Sequence, residues 1–186
     1  FEKLLINWFY KIRVIILCGK KVKKKVILMN YTLDKVTLDE KEILYNLLQF
    51  ALYDGSQYIE NDLNENAKFQ YKWFDNYFTD EDRDAYFIKR GKTYLGFVMI
   101  NENLKFNSNG KCIAEFLIMP QYRRNHIGKK VAMEIFEKYR GYWEVEPMKN
   151  SKQAYLFWKK TIKEYTSGNY IVKNSGESEI FVFNNK

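Results

Sequence analysis

Residues 115–129 read Glu-Phe-Leu-Ile-Met-Pro-Gln-Tyr-Arg-Arg-Asn-His-Ile-Gly-Lys. An apolar run stops at Pro120, a basic polar stretch follows, and a helical pattern begins at Ile127. A strand, a loop of phosphate size and a helix N-terminus are therefore expected in one segment. The first turn of a helix leaves backbone N–H groups unpaired and carries partial positive charge, which favours an anionic ligand such as a phosphate. The segment requires an α/β arrangement and points to an enzyme with a nucleotide-like cofactor.

Composition narrows the class. A chain of 186 residues suits one compact domain. Its hydrophobic content of 46% supports a sizeable core and excludes global disorder. Cys18 and Cys112 stand far apart without a CxxC pattern, which argues against a disulfide scaffold or a zinc site and fits a reducing cytoplasm. His126 is the single histidine, so a histidine-based triad or a multi-histidine metal centre is not expected. Of the net charge of +8, five charges come from the lysines of residues 20–25, leaving +3 for the rest. That excess suits a phosphate-bearing cofactor better than a nucleic-acid groove.

Residues 4–18 form an apolar run broken by Asn7, Lys11 and Arg13, too short and too charged to span a membrane. The basic cluster follows that run, the reverse of a signal peptide. Met29 opens a stretch of ordinary globular texture. Residues 1–28 are therefore expected to be an extension or misassigned upstream sequence, and 29–186 the folded domain. A basic amphipathic segment lying on a membrane surface is the competing reading.

Along the domain, a short strand is expected at 30–37, then a helix capped by Asp39 with Ile43, Leu44, Leu47, Leu48 and Ala51 on one face. A second helix over about 66–78 would carry Phe69, Trp73, Tyr77 and Phe78 as its apolar stripe. Residues 85–90 and 93–101 read as a hairpin around Arg90-Gly91-Lys92, and a strand at 111–119 follows the turn Asn107-Ser108-Asn109-Gly110. Helices at 127–139 and 151–164 flank a strand at 142–146, and strands near 169–173 and 178–184 close the chain. The order is an antiparallel meander joined to a βαβ unit, a mixed α/β domain.

In that setting, Arg123-Arg124-Asn125-His126-Ile127-Gly128 resembles the Arg/Gln-x-x-Gly-x-Gly/Ala motif of the GNAT superfamily of acetyl-CoA-dependent acyltransferases. His126 stands where the first glycine is usual. Tyr122 before the arginine pair, the strand at 142–146, and Phe157-Trp158 on the last helix extend the resemblance over about residues 30–185, and the ending of the chain looks like a subgroup of predicted bacterial acetyltransferases. The resemblance implies a GNAT-like fold with a central, mostly antiparallel mixed sheet flanked by about four helices. It implies acetyl-CoA as co-substrate, no metal, and transfer of the acetyl group to a primary amine of a small molecule or peptide.

It also implies a site. The backbone of Phe116, Leu117 and Ile118 would pair with the pantetheine arm. The N–H groups of Arg124, Asn125, His126, Ile127, Gly128 and Lys129 would hold the pyrophosphate, with Arg123, Arg124 and Lys129 adding charge. Asn150 and Trp158 would also contact the cofactor. The tyrosine that often protonates the departing sulfur has no equivalent in register, where Phe157 and Trp158 stand; Tyr165, Tyr155 and Tyr170 are substitutes. An attacking amine must be neutral, so a carboxylate should take its proton. Glu115 is the first candidate for that base and Glu146 the second, while Glu144 shares a strand face with Glu146.

A non-catalytic acyl-CoA-binding or sensing domain of the same fold is the alternative, since both the first glycine and the tyrosine are missing. An RNA-binding module is a third reading, without a recognition motif to support it. No nucleic-acid or membrane partner is expected. The aromatic stripes could serve a homodimer interface.

Overall fold

A computed structural model of the chain describes residues 30–176 and 178–186. The extension expected at 1–28 lies outside the described residues. Seven strands form one mixed sheet: β1 (Thr32–Lys35), β2 (Asp84–Arg90), β3 (Thr93–Asn101), β4 (Lys111–Ile118), β5 (Tyr142–Val145), β6 (Ile171–Ser175) and β7 (Ser178–Asn184), in the order β1-β2-β3-β4-β5-β7-β6. Three α-helices pack on it: α1 (Lys41–Ser56), α2 (Ile127–Lys138) and α3 (Lys152–Tyr165).

The central strands are buried on both faces, and their alternation feeds two cores. Tyr86, Ile88, Val98 and Ile100 face α2 and α3, where Phe136, Trp143, Trp158 and Phe183 complete the larger cluster. Ala85, Phe87, Phe97 and Met99 face α1, where Leu44, Leu47 and Leu48 cover them. The α1 stripe matches the 3.6-residue period, except that Ile43 is exposed at the edge. The entry to α1 is set by Thr37 rather than Asp39. A 3₁₀ turn (Leu38–Glu40) precedes the helix, and Glu40 Oε2 accepts from both the backbone N–H and the hydroxyl of Thr37.

The helix expected at 66–78 does not form. Ala67 sits at φ 54°, and the Asn64 side chain accepts from the backbone N–H groups of Asn66 and Lys68. Gln49 of α1 both accepts from Phe69 N and donates to Phe69 O. Side chains thus satisfy backbone groups that a helix would have paired internally. Only a 3₁₀ turn (Asp75–Phe78) follows. Phe69, Phe74 and Tyr77 are buried, whereas Trp73 is exposed.

All neighbouring strands are antiparallel except β4 and β5, which are parallel and share just two pairs, Lys111↔Trp143 and Cys112↔Glu144. Two features force them apart. Met99 and Ile100 of β3 oppose Glu115 and Ile113, so Ala114 is an extra residue that bends β4. Meanwhile β5 ends at Val145, just before Glu146-Pro147, where proline removes a donor. Beyond Cys112 one edge of β4 therefore has no β5 partner.

Glu144 fixes the closed end of this fork. Its buried carboxylate accepts from the backbone N–H groups of Lys105, Phe106 and Asn107 at 2.7 to 3.0 Å, and from Asn107 Nδ2 at 2.7 Å. Every partner is a donor, so a glutamine amide N–H₂ would face N–H groups. Glu144→Gln is expected to cost about 3 kcal/mol and lower Tm by roughly 10 °C, as checked by urea and thermal unfolding.

Candidate active site

The fork opens into a cleft of about 450 Å³ between β4, the ends of α1 and α2, and α3. Glu115, Phe116, Leu117 and Ile118 line it from β4. Phe116 is held by Phe157 of α3, stacked at 5.8 Å, and by Trp158, edge-on at 5.3 Å. The floor of the cleft is thus aromatic. Ser151 caps α3, its hydroxyl accepting from Ala154 N at 3.2 Å, and it also lines the cleft.

The loop into α2 closes one end. Arg124 and His126 both adopt the left-handed region at φ 62°, with His126 as the N-cap of α2. Histidine enters that region more readily than most residues, which is how the loop keeps its turn without the usual glycine. Among the described residues, no backbone or side-chain group accepts from the backbone N–H groups of Arg124 through Lys129. These donors, at a helix N-terminus, can receive an anion. Gly128 allows close approach: a Cβ there would lie 3.4 Å from both Ile118 and Phe157. If the loop holds CoA as the resemblance implies, His126→Gly is expected to keep that affinity within about threefold or to tighten it, since the backbone already holds an angle glycine favours. A tenfold loss by calorimetry would show that the imidazole makes a ligand contact of its own.

Glu115 lines the same cleft, and no hydrogen bond or ion pair to its carboxylate is made by the described residues. Burial pushes that carboxyl from an ordinary 4.5 up to about 7. Tyr71, on the α1 side, is held protonated first by burial and then by the Glu115 charge. Behind it Tyr77 accepts from Asn101 Nδ2, and Asn101 Oδ1 accepts from the Cys112 thiol at 2.8 Å. Burial pushes that thiol up to about 11, so Cys112 is a packing residue rather than a nucleophile.

The structure brings together Glu115, Phe116, Leu117, Ile118 and Trp158 with Arg123, Arg124, His126, Gly128 and Lys129. The side chain of Ile127 is instead buried in the larger core, and that of Asn125 is exposed outside the cleft lining. Asn150 lies at φ 64° and turns its amide to Tyr58 O at 3.4 Å. Tyr165 is placed away from the cleft: its hydroxyl donates to Glu137 at 2.8 Å and accepts from Asn185 at 2.9 Å. Glu146 pairs with Lys105 at 2.7 Å, also outside the lining. Asp54 and Gly55 at the end of α1 and Tyr58 in the turn after it also line the cleft; in the sequence, Asp54-Gly55 reads as a helix stop and the aromatic-rich stretch 53–63 as one that could border a substrate pocket, with nothing to signal which sheet edge it meets. A second hollow of about 420 Å³ along β5, β7 and the approach to β6 has no charged lining and offers no comparable chemistry.

The acetyltransferase (GNAT) family model matches residues 42–162, which is most of the described domain and includes the fork, the loop and most of α3. The chain belongs to this family. As a GNAT protein it is an acyltransferase. The fold is similar to that of an acetyltransferase from Thermus thermophilus (TM-score 0.61, 12% identity, covering 84% of this chain and 97% of that one). It is also similar to a PaiA N-acetyltransferase from Thermoplasma acidophilum solved with coenzyme A (TM-score 0.53, 14% identity, 84% and 100% covered). A third is spermidine N-acetyltransferase from Vibrio cholerae, solved with CoA and spermine (TM-score 0.50, 10% identity, 83% and 95% covered). At these identities the likeness establishes the fold. No curated protein sequence matches the chain. No helix among the described residues is long and apolar enough to cross a membrane.

Proposed function

We propose that this GNAT protein transfers the acetyl group of acetyl-CoA to a primary amine of a small molecule or peptide by direct attack, with Glu115 as general base. The observation that carries the reading is that an unpartnered carboxylate pushed up to about 7 and a loop of free backbone donors open into the same cleft. A base poised near neutral pH can accept a proton from an ammonium group whose ordinary pKa is about 10.4.

The free edge of β4 from Ile113 onward offers backbone groups to the amides of a pantetheine arm, and the loop at Arg124–Lys129 offers N–H groups to its pyrophosphate. A β4 N–H near the bulge can polarise the thioester oxygen. The neutral amine nitrogen then attacks the carbonyl carbon. The C–N bond forms, the C–S bond breaks and the electron pair leaves on sulfur; Glu115, having passed the ammonium proton on to solvent, takes the second proton from nitrogen. Phe157 and Trp158 occupy the α3 positions nearest the family's tyrosine, so the departing thiolate takes its proton from water.

Thiol release from acetyl-CoA across a panel of primary amines tests the proposal. Release that depends on both partners is expected. Tight CoA binding without transfer to any amine would favour a non-catalytic acyl-CoA sensor.

A further inference from the structure

Arg123 opens the anion-binding loop, yet its guanidinium points back out of it. Nε donates to Ile118 O at 2.7 Å and Nη2 donates to Asp54 Oδ2 at 2.6 Å. The first acceptor ends β4 and the second belongs to the last helical turns of α1, so one planar side chain joins the two walls that meet at the cleft. The loop just beyond it holds Arg124 and His126 in the left-handed region. Such non-glycine residues are strained there, and they persist where their surroundings fix the backbone. The two-bond hold on Arg123, together with its N–H to Pro120 O at 3.2 Å, fixes the loop at its entry.

Asp54 is tied onward into the other wall. Its carbonyl accepts from Gln57 Nε2 at 2.7 Å, and the N–H groups of Tyr58 and Ile59 both donate to Gly55 O. Tyr58 O in turn accepts from Asn150, at the foot of α3. Asp54, Gly55 and Tyr58 line the same cleft as Glu115 and the loop.

We propose that the Asp54–Arg123 pair is a positioning device that couples occupancy of the 124–129 loop to the end of α1, so that the wall meeting the acceptor is ordered when acyl-CoA is bound. The proposal rests on the acyl-CoA reading of the cleft given above. Coupling of this kind is reciprocal: whatever the donor does to the acceptor wall, the acceptor does to the donor. It also requires arginine, because a lysine ammonium cannot reach two acceptors through a rigid fork.

Hydrogen exchange of the full chain with and without CoA, read by mass spectrometry, tests the coupling. CoA is expected to slow exchange in residues 124–130 and, through the pair, at least threefold in residues 55–59. In Asp54→Asn, CoA should still bind within about threefold and protect 124–130, while protection of 55–59 disappears; Asp54→Glu should restore part of it. Arg123→Lys should lose the same protection, which gives a second variant if one folds poorly. A purely structural role would alter exchange equally with and without CoA. Undiminished CoA-dependent protection of 55–59 in Asp54→Asn would overturn the coupling alone. Absence of CoA binding by the unmodified protein would overturn the acyl-CoA reading, and the coupling with it.

Discussion

Glu115→Gln is expected to lower kcat/KM by about 10² to 10⁴ and to erase the rise of rate through pH 7. The rise follows from the raised carboxyl, pushed up to about 7, which is a competent base only above that pH. The same substitution should make the protein more stable, in a pH-dependent way. The folded carboxyl ionises later than the unfolded one, so between 4.5 and 7 the native state holds the extra proton and stability falls as pH rises. Glutamine carries no such penalty. A shift of this size corresponds to about 3 kcal/mol, and access to cleft water reduces it to roughly 2 kcal/mol. Urea unfolding at pH 8 should therefore show Glu115→Gln ahead by about 2 kcal/mol, and the advantage should vanish near pH 4. An advantage that did not change with pH would mean the carboxylate is well solvated and is not a tuned base.

Gly96→Ala is the second large effect, and it acts from outside the cleft. Gly96 pairs with Ile118 across β3 and β4, and a Cβ at Gly96 would lie 1.9 Å from Leu117 O and 2.9 Å from its carbonyl carbon. Backbone atoms on a central strand cannot swing aside as a long side chain can. Relief requires β4 to move away from β3 at Leu117–Ile118, where the strand feeds the loop. A loss of about 3 kcal/mol or more in stability is expected. CoA affinity should fall at least tenfold in whatever fraction still folds, because Ile118 O would no longer sit where Arg123 reaches it. Urea unfolding together with CoA titration checks both; an unchanged Tm would mean that the strands tolerate the separation.

Most of the sheet was legible because its signals are local. The hairpin at Arg90-Gly91-Lys92, the run ending at Pro120 and the helical period from Ile127 each follow from neighbouring residues. The 66–78 segment was not legible, because the spacing of Phe69, Trp73 and Tyr77 imitates a helix while its backbone is satisfied by Asn64 and by Gln49, the latter about twenty residues upstream. For the site, the loop and β4 could be placed from motif and strand order. The role of Arg123 could not, since its partner Asp54 is 69 residues away and becomes adjacent only once α1 has packed. Tyr165 and Glu146 looked eligible by residue type, but their partners Glu137, Asn185 and Lys105 come from other elements.

The two residue pairs between β4 and β5 divide the sheet into a four-stranded half and a three-stranded half, with almost no ladder between them. Side chains compensate for that. Tyr86, Val98 and Ile113 from one half share an interior with Trp143, Phe181 and Phe183 from the other, bridged by α2 and α3. Apart from the hold of Glu144 on the 105–107 loop, the halves are thus nearly independent in main-chain ladder bonds but inseparable in hydrophobic burial. Such a molecule should unfold as one cooperative unit while keeping a compliant seam at the fork, able to open or narrow by fractions of an ångström without breaking a main-chain bond.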